Sequence, residues 1–509
     1  MKPRTMISSL LMLGILSLVA CNNDHEYYSN DPDAAPDALS CYDVNDLYQD
    51  YSLFFKPVHG WVGDPMPFYK DGTFHVFYLQ DARDGAKTFH PWYKVNTTDL
   101  VSYTDEGEMI PCGTVEEQDG ALGTGSVFEH NGLYYAFYTG HNGALDPREK
   151  ILLATSADLK NWTKDESFAL EASWGYDRNE FRDPIIIRDE ATDTFRMLLS
   201  TRADYKGSWR AVIAQYSSTD LYNWTLEEPF YDDESTFMVE CPDIFTQGGY
   251  QYLIYSDIND RMVHYKYRAA GSPDWITPAN SALDGIAYYA GKTAYDGTNR
   301  YLFAWCPTRE NHRDANPFGW AGSLVVHQLI QNQDGTLYTT IPQSISEKIA
   351  TPAIVNITGS RDMHADGNTY KLSGTDAQDY ITFDRLAAKP TRITAKITAS
   401  TSTRFGFELG ACGNRREIYA ITFDTEKDKL QLNRVQRLAE RSEMMTSVHL
   451  PKPSGNEYDV AILIENSVCV IYVNGQKAFT NRIYQMNQNP WGIFADNGEV
   501  TFSNLNIYN

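Results

Sequence analysis

The stretch DPMPFYKDGTFHVFYL, residues 64–79, sets the pattern for the first two thirds of this chain. It reads as a short strand, a tight Asp-Gly turn and an aromatic strand, which together are typical of a β-hairpin. Four later stretches repeat this pattern: TGSVFEHNGLYYAFYTG (124–140), RDPIIIRDEATDTFRMLLST (182–201), ECPDIFTQGGYQYLIYS (240–256) and AGKTAYDGTNRYLFAW (290–305).

A second, turn-like phrase keeps the same spacing. It occurs as VNTTDLVSY (95–103), ATSADLKNW (154–162) and YSSTDLYNW (216–224), at intervals of about 60 residues. No long segment with helical periodicity and end caps interrupts the repeat. Hairpins that recur at this interval are typical of a β-propeller, in which each blade has four strands. Five copies predict an all-β fold that begins with a five-bladed propeller.

The first strand of each propeller blade lies nearest the central axis, so residues at the start of each phrase are brought together. Asp64, Asp183 and Glu240 lie at such starts, within about one residue of the same register. We therefore expect these three carboxylates to converge on one axial pocket. The alternative is that each acid only opens a strand-entry turn, as Asp before Pro often does.

Three converging carboxylates suit the cleavage of glycosidic bonds. One acid protonates the leaving oxygen, and a second carboxylate attacks the anomeric carbon or directs water at it. A third carboxylate raises the pKa of the protonated acid and holds a sugar hydroxyl. Arg182 is expected to keep Asp183 ionised through a charge-assisted bond. The alternative for Arg182 is a solvated position on the surface.

The blocks that carry these acids resemble a known family. GWVGDPMPFY around Asp64, FRDP around Asp183 and VECPD around Glu240 are similar, in order and spacing, to three blocks of glycoside hydrolase family 32, the invertase, inulinase and levanase group. The resemblance spans about Tyr51 to Ile345 and continues weakly into VIYVNGQKAFTNRIY. It implies a retaining enzyme with Asp64 as nucleophile, Glu240 as acid/base and Asp183 as transition-state stabiliser.

Weaker matches to the family predict further contacts with the substrate. They are Trp61, Gln80, Trp92, Thr124, Arg182 and Trp320, each of which has a core or turn position as its alternative. The chain also departs from the family. The usual first block, Trp-Met-Asn-Asp-Pro-Asn-Gly, contains two asparagines that Val62-Gly63-Asp64-Pro65-Met66-Pro67 lacks. We expect an altered subsite beside the nucleophile.

The N-terminal residues predict export and lipid attachment. Lys2 and Arg4 precede an apolar run, residues 6–20, that is too short to span a bilayer. Leu18-Val19-Ala20-Cys21 resembles a bacterial lipobox, which makes residues 1–20 a signal peptide and Cys21 the lipid attachment site. The alternative is an ordinary signal peptide with an incidental cysteine. Residues 21–45 are acidic and predict a flexible tether.

The spacing of the repeat places the propeller at residues 46–350 and a second domain at 351–509. Short alternating strands in the second domain, with a two-residue hairpin at Asn474-Gly475, predict a β-sandwich. This domain is expected to brace the propeller, with sugar binding as the alternative. The seven cysteines show no CxxC pair and no metal-ligand spacing, so we expect no disulfide framework, no metal and no cofactor.

The net charge of −24 argues against nucleic acid and anionic lipid as partners and fits a neutral polymer. We expect a monomeric lipoprotein of the outer membrane, exposed at the cell surface, that hydrolyses β-fructofuranosyl linkages in fructans. Endo action on levan (β-2,6) is favoured over inulin (β-2,1). The alternatives are an exo-acting β-fructosidase on inulin, levan or sucrose, an inverting five-bladed arabinan or xylan hydrolase, and a fructan-binding protein without activity.

Overall fold

The computed structural model describes residues 50–509 except 83–89, 190–191, 234–236, 363, 376, 387–388, 413–414, 438, 485 and 487–488. The predicted signal peptide, Cys21 and the predicted tether therefore lie outside the described residues. The described part is almost entirely β-structure. None of the helices in these ranges is long and apolar enough to cross a membrane.

The first part of the described chain folds into five antiparallel blades of consecutive strands, of which the first and the fifth are joined into one sheet. Its strands are β1 (Trp61–Lys70), β2 (Thr73–Asp81), β3 (Trp92–Thr97), β4 (Thr104–Ile110); β5 (Ala121–His130), β6 (Leu133–His141), β7 (Glu149–Ser156), β8 (Thr163–Lys164); β9 (Tyr176–Asp189), β10 (Thr194–Tyr205), β11 (Ser208–Ser218), β12 (Thr225–Leu226), β13 (Tyr231–Asp233); β14 (Val239–Gln247), β15 (Tyr250–Asp257), β16 (Met262–Ala269); and β17 (Tyr289–Tyr295), β18 (Arg300–Arg309), β19 (Phe318–Gln331), β20 (Leu337–Thr340).

The five blades form a closed ring. Their first strands contact one another in the order β1, β5, β9, β14 and β17, and β17 returns to β1. The ring closes through a backbone pairing between β1 and β19, where Val62 lies opposite Gly322. This is the arrangement expected of five blades around one axis, with the first strand of each blade innermost.

Each innermost strand carries a bulge at the same level. Opposite the second strand of its blade, each first strand has one extra residue, which displaces the register. The bulge directly follows Gly63, Leu122, Arg182, Glu240 and Tyr289. The bulge residues Asp64 (φ 37°), Asp183 (φ 60°), Cys241 (φ 52°) and Ala290 (φ 57°) are left-handed. Such bulges re-aim side chains, here toward the axis.

The second phrase of the repeat forms a tight turn. The Asp158 carboxylate accepts backbone N–H groups from Lys160 and Asn161 at 2.9 and 2.8 Å. Asp99 and Asp220 make the equivalent bonds in their own blades. The Thr/Ala-Asp-Leu phrase therefore recurs because each copy caps its own turn with an aspartate.

A short helix, α1 (Gln343–Lys348), leads into a sandwich of two sheets with strand orders β23-β24-β35-β26-β31-β32-β33 and β22-β25-β34-β27-β28-β29-β30. Its strands are β21 (Pro352–Ala353), β22 (Ile357–Ser360), β23 (His364–Asp366), β24 (Thr369–Ser373), β25 (Asp379–Arg385), β26 (Thr391–Ala399), β27 (Arg404–Cys412), β28 (Glu417–Asp424), β29 (Lys429–Gln436), β30 (Arg441–His449), β31 (Glu457–Glu465), β32 (Val468–Val473), β33 (Lys477–Arg482), β34 (Pro490–Ala495) and β35 (Glu499–Tyr508).

The hairpin between β32 and β33 differs in detail from the prediction. Val473 pairs with Lys477, so three residues rather than two form the loop. Asn474 and Gly475 take positive φ values of 55° and 60°, as an Asn-Gly turn requires, while the Gln476 N–H bonds back to the Val473 carbonyl at 3.0 Å. The prediction had the turn in the right place and its length wrong by one residue.

The sandwich is joined to the propeller by buried polar contacts. Arg482 is fully buried and donates to the carbonyls of Cys306 and Pro307 at 2.9 and 3.1 Å. The Glu465 carboxylate accepts the N–H groups of Ser52, Leu53 and Phe54, just before the first blade. Strands β31–β33 thus hold both ends of the ring, which supports the expected bracing role.

Candidate active site

A cavity of about 430 Å³ lies at the level of the bulges, and all three predicted acids line it. The innermost strands contribute most of its polar wall, and the fifth blade supplies an aromatic side. The lining residues are Asp64, Gly123, Thr124, Arg182, Asp183, Glu240, Cys241, Ile258, Arg261, Ile286, Tyr289, Trp305, Pro307, Phe318, Gly319 and Trp320. The structure therefore brings together carboxylates that are far apart in the chain.

Both oxygens of Asp64 are held by neutral donors. The Thr124 hydroxyl donates to Oδ2 at 2.6 Å, and the Trp305 indole N–H donates to Oδ1 at 3.0 Å. Burial raises the pKa of Asp64 above its ordinary value, while these two hydrogen bonds oppose the shift. The donors come from the second and fifth blades, so the carboxylate is fixed from two sides.

Glu240 is held at both oxygens by a different pair of donors. The Tyr289 hydroxyl donates to Oε2 at 2.6 Å, and Arg182 donates from Nη2 to Oε1 at 3.0 Å. Burial and the neighbouring Glu240 charge raise the pKa of Tyr289, so this phenol stays protonated and remains a donor. The orientation of Glu240 is set by the third and fifth blades.

Asp183 is the most deeply buried of the three acids. Its Oδ2 accepts the backbone N–H of Cys241 at 2.8 Å, and its own N–H donates to the Thr139 hydroxyl at 3.0 Å. Burial raises the pKa of Asp183 to about 7, against the opposing charge of Arg182 and with a further increase from Glu240. This acid therefore changes charge near neutral pH.

The prediction that Arg182 keeps Asp183 ionised through a direct bond is wrong. The guanidinium bonds instead to Glu240, Glu149 and Glu180. Its side chain is 16% exposed, so it is not a solvated surface arginine either. Burial opposes the charge of Arg182, but the surrounding carboxylates raise its pKa well above the ordinary value. Arg182 lies in the cavity wall and positions Glu240.

Of the other predicted substrate contacts, Thr124 and Trp320 line the cavity. Trp61 and Trp92 do not, because both indoles are buried, at 1% and 0% exposure. Trp92 donates to the Gly123 carbonyl at 3.0 Å from within the core. The Gln80 amide donates to a backbone carbonyl, that of His59, at 3.0 Å, away from the cavity wall formed by the described residues. These three side chains therefore lie outside the cavity lining of the described residues, and their direct contact with substrate stays a prediction.

Two cavity residues of the fifth blade that bond to Glu240 and Asp64 were missed. Tyr289 directly precedes the bulge of its strand, which is the position of Glu240 in the fourth blade and of Arg182 in the third. Trp305, opposite Tyr289 on the next strand, ends the fifth hairpin phrase. The repeat itself contained the signal, since aligning the five bulges places Tyr289 toward the axis.

The structure accounts for both missing asparagines. A Cβ atom at Gly63 would lie 2.4 Å from Cη2 of Trp320, so the indole fills the space of the first side chain. Trp320 also lies against the His90 ring at a centroid distance of 4.3 Å. Met66, at the second position, is buried in the core, where its sulfur accepts the Gly125 N–H at 3.1 Å. Apolar groups thus replace both amides beside Asp64.

Cys112, Cys241, Cys306 and Cys469 are free thiols. Across the described ranges, no group of three or more His, Cys, Asp or Glu side chains is disposed to hold a metal ion. The polar groups that line the cavity are three carboxylates, the guanidinium groups of Arg182 and Arg261, the Thr124 hydroxyl, the Tyr289 phenol and two indole N–H groups.

Comparisons with known proteins agree with the motifs. Residues 54–340 match the family model "Glycosyl hydrolases family 32 N-terminal domain", and residues 335–507 match "GH32, BT1760-like, C-terminal domain". The chain is 24% identical over 481 residues to sucrose-6-phosphate hydrolase of Escherichia coli, covering 89% of this chain and 93% of that protein. It is 23% identical over 489 residues to the levanbiose-producing levanase of Bacillus subtilis, covering 88% of each.

A solved structure of similar fold is sucrose-6-phosphate hydrolase from Lactobacillus gasseri. It has a TM-score of 0.68 and 20% identity and covers 95% of this chain and 98% of that one. Together with the closed ring of innermost strands, this similarity confirms the predicted fold class, a five-bladed β-propeller followed by a β-sandwich. The chain belongs to glycoside hydrolase family 32, and it is a glycoside hydrolase.

Proposed function

We propose that this enzyme hydrolyses β-fructofuranosyl linkages of fructans with retention of configuration, with Asp64 as nucleophile and Glu240 as acid/base. The observation that carries the proposal is the contrast between these two carboxylates in one cavity. Asp64 accepts hydrogen bonds only from neutral groups in the contacts described above, whereas Glu240 bonds to the Arg182–Tyr289 pair. Two acids in different environments are what a double-displacement reaction requires.

The proposed reaction has two steps. Glu240 gives its proton to the leaving oxygen while an Asp64 oxygen attacks the anomeric carbon and forms a fructosyl ester. Glu240 then removes a proton from water, which displaces Asp64 and regenerates the enzyme. Asp183 accepts hydrogen bonds from sugar hydroxyls as positive charge develops at the transition state. The backbone bond from Cys241 aims its carboxylate.

The substrate class rests on the family relatives and the cavity. The names of the relatives include a levanase and sucrose-6-phosphate hydrolases, and the cavity combines carboxylates with aromatic walls suited to sugar rings. The inverting arabinan or xylan hydrolase is disfavoured because the whole propeller matches family 32. The binding protein without activity is set aside, since the chain is a glycoside hydrolase.

We propose levan and endo action as the finer specificity. The support is the expected location, because a monomeric lipoprotein anchored by Cys21 at the outer-membrane surface would meet long polymer before import. The second candidate is an exo-acting β-fructosidase on sucrose, inulin or levan. This candidate is favoured because a sucrose-6-phosphate hydrolase matches this chain over nearly the whole length of both proteins.

The test is to incubate the purified protein separately with levan, inulin and sucrose and to resolve the products by chain length. A ladder of oligosaccharides from levan supports endo action, and fructose alone supports exo action. The configuration of the first sugar released, followed by NMR, reports retention or inversion. Glu240→Gln should abolish turnover with an unchanged melting temperature, whereas Glu228→Gln, at an exposed position, should leave activity unchanged. Substantial activity in Glu240→Gln would contradict the assignment.

A further inference from the structure

Exposed aromatic side chains are concentrated at the cavity end of the propeller. Of the ten tryptophans in the chain, three are exposed in the described residues. Trp320 is 37% exposed and belongs to the cavity wall. Trp174 is 99% exposed and Trp209 is 46% exposed, and both lie on the third blade. A fully solvated indole contributes nothing to the core, and exposed apolar side chains that occur together mark binding surfaces more often than single ones do.

The strand register places both side chains at the same end of the blade as the catalytic carboxylates. Arg182, next to Asp183, pairs with Ser200 on β10. Beyond Ser200, β10 continues to Tyr205 and turns into β11 at Ser208, so the hairpin projects past the cavity level. Trp209 begins this return strand, and Trp174 lies just before β9 begins at Tyr176. Both indoles therefore lie on the rim around the cavity mouth.

Two further residues connect the rim to the cavity. The Arg202 guanidinium lies over the Phe237 ring at 4.4 Å and over the Trp209 ring at 5.9 Å, and it bonds to Asp177. Phe237 is 49% exposed and precedes Glu240 by three residues. At about 3.3 Å per residue of extended chain, it lies roughly 10 Å from the acid/base. We call the surface formed by Trp174, Arg202, Trp209 and Phe237 the blade-three shelf.

The chemistry of the shelf fits a neutral carbohydrate chain. Apolar ring faces take the C–H faces of sugars, and Arg202, Asp177 and Asp204 border them with groups that bond hydroxyls. The net charge of −24 disfavours an anionic partner. Phe237 lies three residues before Glu240, so a polymer that enters the cavity has a short path to the shelf.

We propose that the blade-three shelf is a distal binding site for the part of the fructan chain that extends beyond the cavity. The proposal rests on the proposed function for the identity of the sugar. The shelf holds long chains against the enzyme, so it increases the affinity for polymer. It does not change the affinity for substrates short enough to stay within the cavity. It also supports attack within the chain, because polymer bound on the shelf presents internal linkages to Asp64.

The test compares the kinetics of Trp174→Ala, Trp209→Ala and Phe237→Ala with those of the wild-type protein, on levan and on sucrose. Loss of one stacked ring is expected to raise KM for levan about 2- to 12-fold, which corresponds to one stacking interaction. The kcat/KM for sucrose should stay within about twofold of wild type. Tyr222→Ala is the matched control, because this tyrosine is 43% exposed at the opposite end of the same blade, beyond β11.

Unchanged levan kinetics in all three variants would overturn the shelf while leaving the fructan hydrolase intact. An equal loss on levan and sucrose would also overturn it, since that result would indicate a disturbed cavity. A second measurement does not depend on turnover: migration of Glu240→Gln protein through gels that contain levan. Retardation that disappears with Trp209→Ala supports the shelf, and absence of retardation overturns it. Failure of the wild-type protein to cleave any fructoside would instead contradict the proposed function.

Discussion

Tyr289 donates its hydroxyl proton to Oε2 of Glu240 at 2.6 Å, from the position in the fifth blade that Glu240 itself occupies in the fourth. Tyr289→Phe removes this bond and leaves the ring in place. We expect kcat to fall about 10- to 100-fold with little change in KM, because a misplaced catalytic group slows the chemical step more than it weakens substrate binding. Steady-state kinetics on sucrose or levan measure the split.

The neighbouring Tyr288 provides the control for this variant. Its hydroxyl donates to the Leu302 carbonyl at 2.8 Å within the core. Tyr288→Phe should therefore lower the free energy of unfolding by about 1 kcal/mol and leave kcat unchanged. If Tyr289→Phe lost stability and kept its kcat, the positioning role would be refuted.

Gly63 and Trp320 are coupled by space. Because a Cβ atom at residue 63 would lie 2.4 Å from the indole, Gly63→Ala displaces Trp320 and the cavity wall with it. We expect kcat/KM to fall at least about tenfold. In a protein that already carries Trp320→Ala, Gly63→Ala should be nearly neutral. A double-mutant cycle therefore measures the coupling. Gly143→Ala, where the nearest atom lies 3.9 Å away, is the silent control; additive effects of Gly63→Ala and Trp320→Ala would contradict the coupling.

The buried Asp183 is predicted to make stability depend on pH. Its folded-state pKa of about 7 lies above the ordinary value of 3.8, so between these values the folded protein binds more protons than the unfolded chain. Stability therefore falls as pH rises from about 4 to 7. Asp183→Asn removes this dependence, and its gain in unfolding free energy should be larger at pH 8 than at pH 4 by on the order of 4 kcal/mol.

Urea denaturation at the two pH values measures this difference. Asp158→Asn should show the opposite sign, because backbone N–H groups stabilise the charged form of this exposed carboxylate and hold its pKa below the ordinary value. Its stabilising effect is present above pH 4 and is lost as the carboxylate is protonated. A pH-independent effect of Asp183→Asn would show that the native carboxylate is already ionised at low pH.

Asp284 joins the two domains in a buried cluster. Its carboxylate accepts bonds from His327 at 2.9 Å and from the Thr480 backbone N–H at 2.8 Å. Asp284→Ala leaves these donors unsatisfied and should lower the free energy of unfolding by about 3–5 kcal/mol. Asp362→Ala, at an exposed position, should change it by less than about 0.5 kcal/mol. Equal denaturation midpoints for the two variants would contradict the role of Asp284.

The sequence predicted the convergence of the carboxylates because the repeat is a geometric property. Asp64 and Asp183 occupy the same bulge position in two blades, and Glu240 lies one residue earlier in a third. A spacing of about 60 residues reveals that equivalence without any knowledge of side-chain contacts. The recurring Asp-Leu turns supplied the same register from the other end of the blades.

Side-chain direction was harder to predict. Trp61 and Trp92 lie in strands that are buried on both faces, so alternation does not say whether an indole points to the axis or between blades. Arg182 was assigned to its sequence neighbour, yet two of its three partners, Glu240 and Glu149, come from other strands. Trp320 was predicted as a cavity residue, but its replacement of the side chain missing at Gly63 required the structure, because the two residues are almost 260 positions apart.

The ring closes beside the nucleophile, since Val62 pairs with Gly322 two residues before Asp64. Glu465 holds the segment ahead of the first blade, and Arg482 holds the fifth blade, so the sandwich fastens both sides of that junction. The two domains are therefore not interchangeable cassettes. A propeller expressed alone would keep every catalytic residue in its sequence but lose the contacts that hold Asp64 near Trp305. Evolutionary exchange of the C-terminal domain would therefore require a replacement that holds the same junction closed.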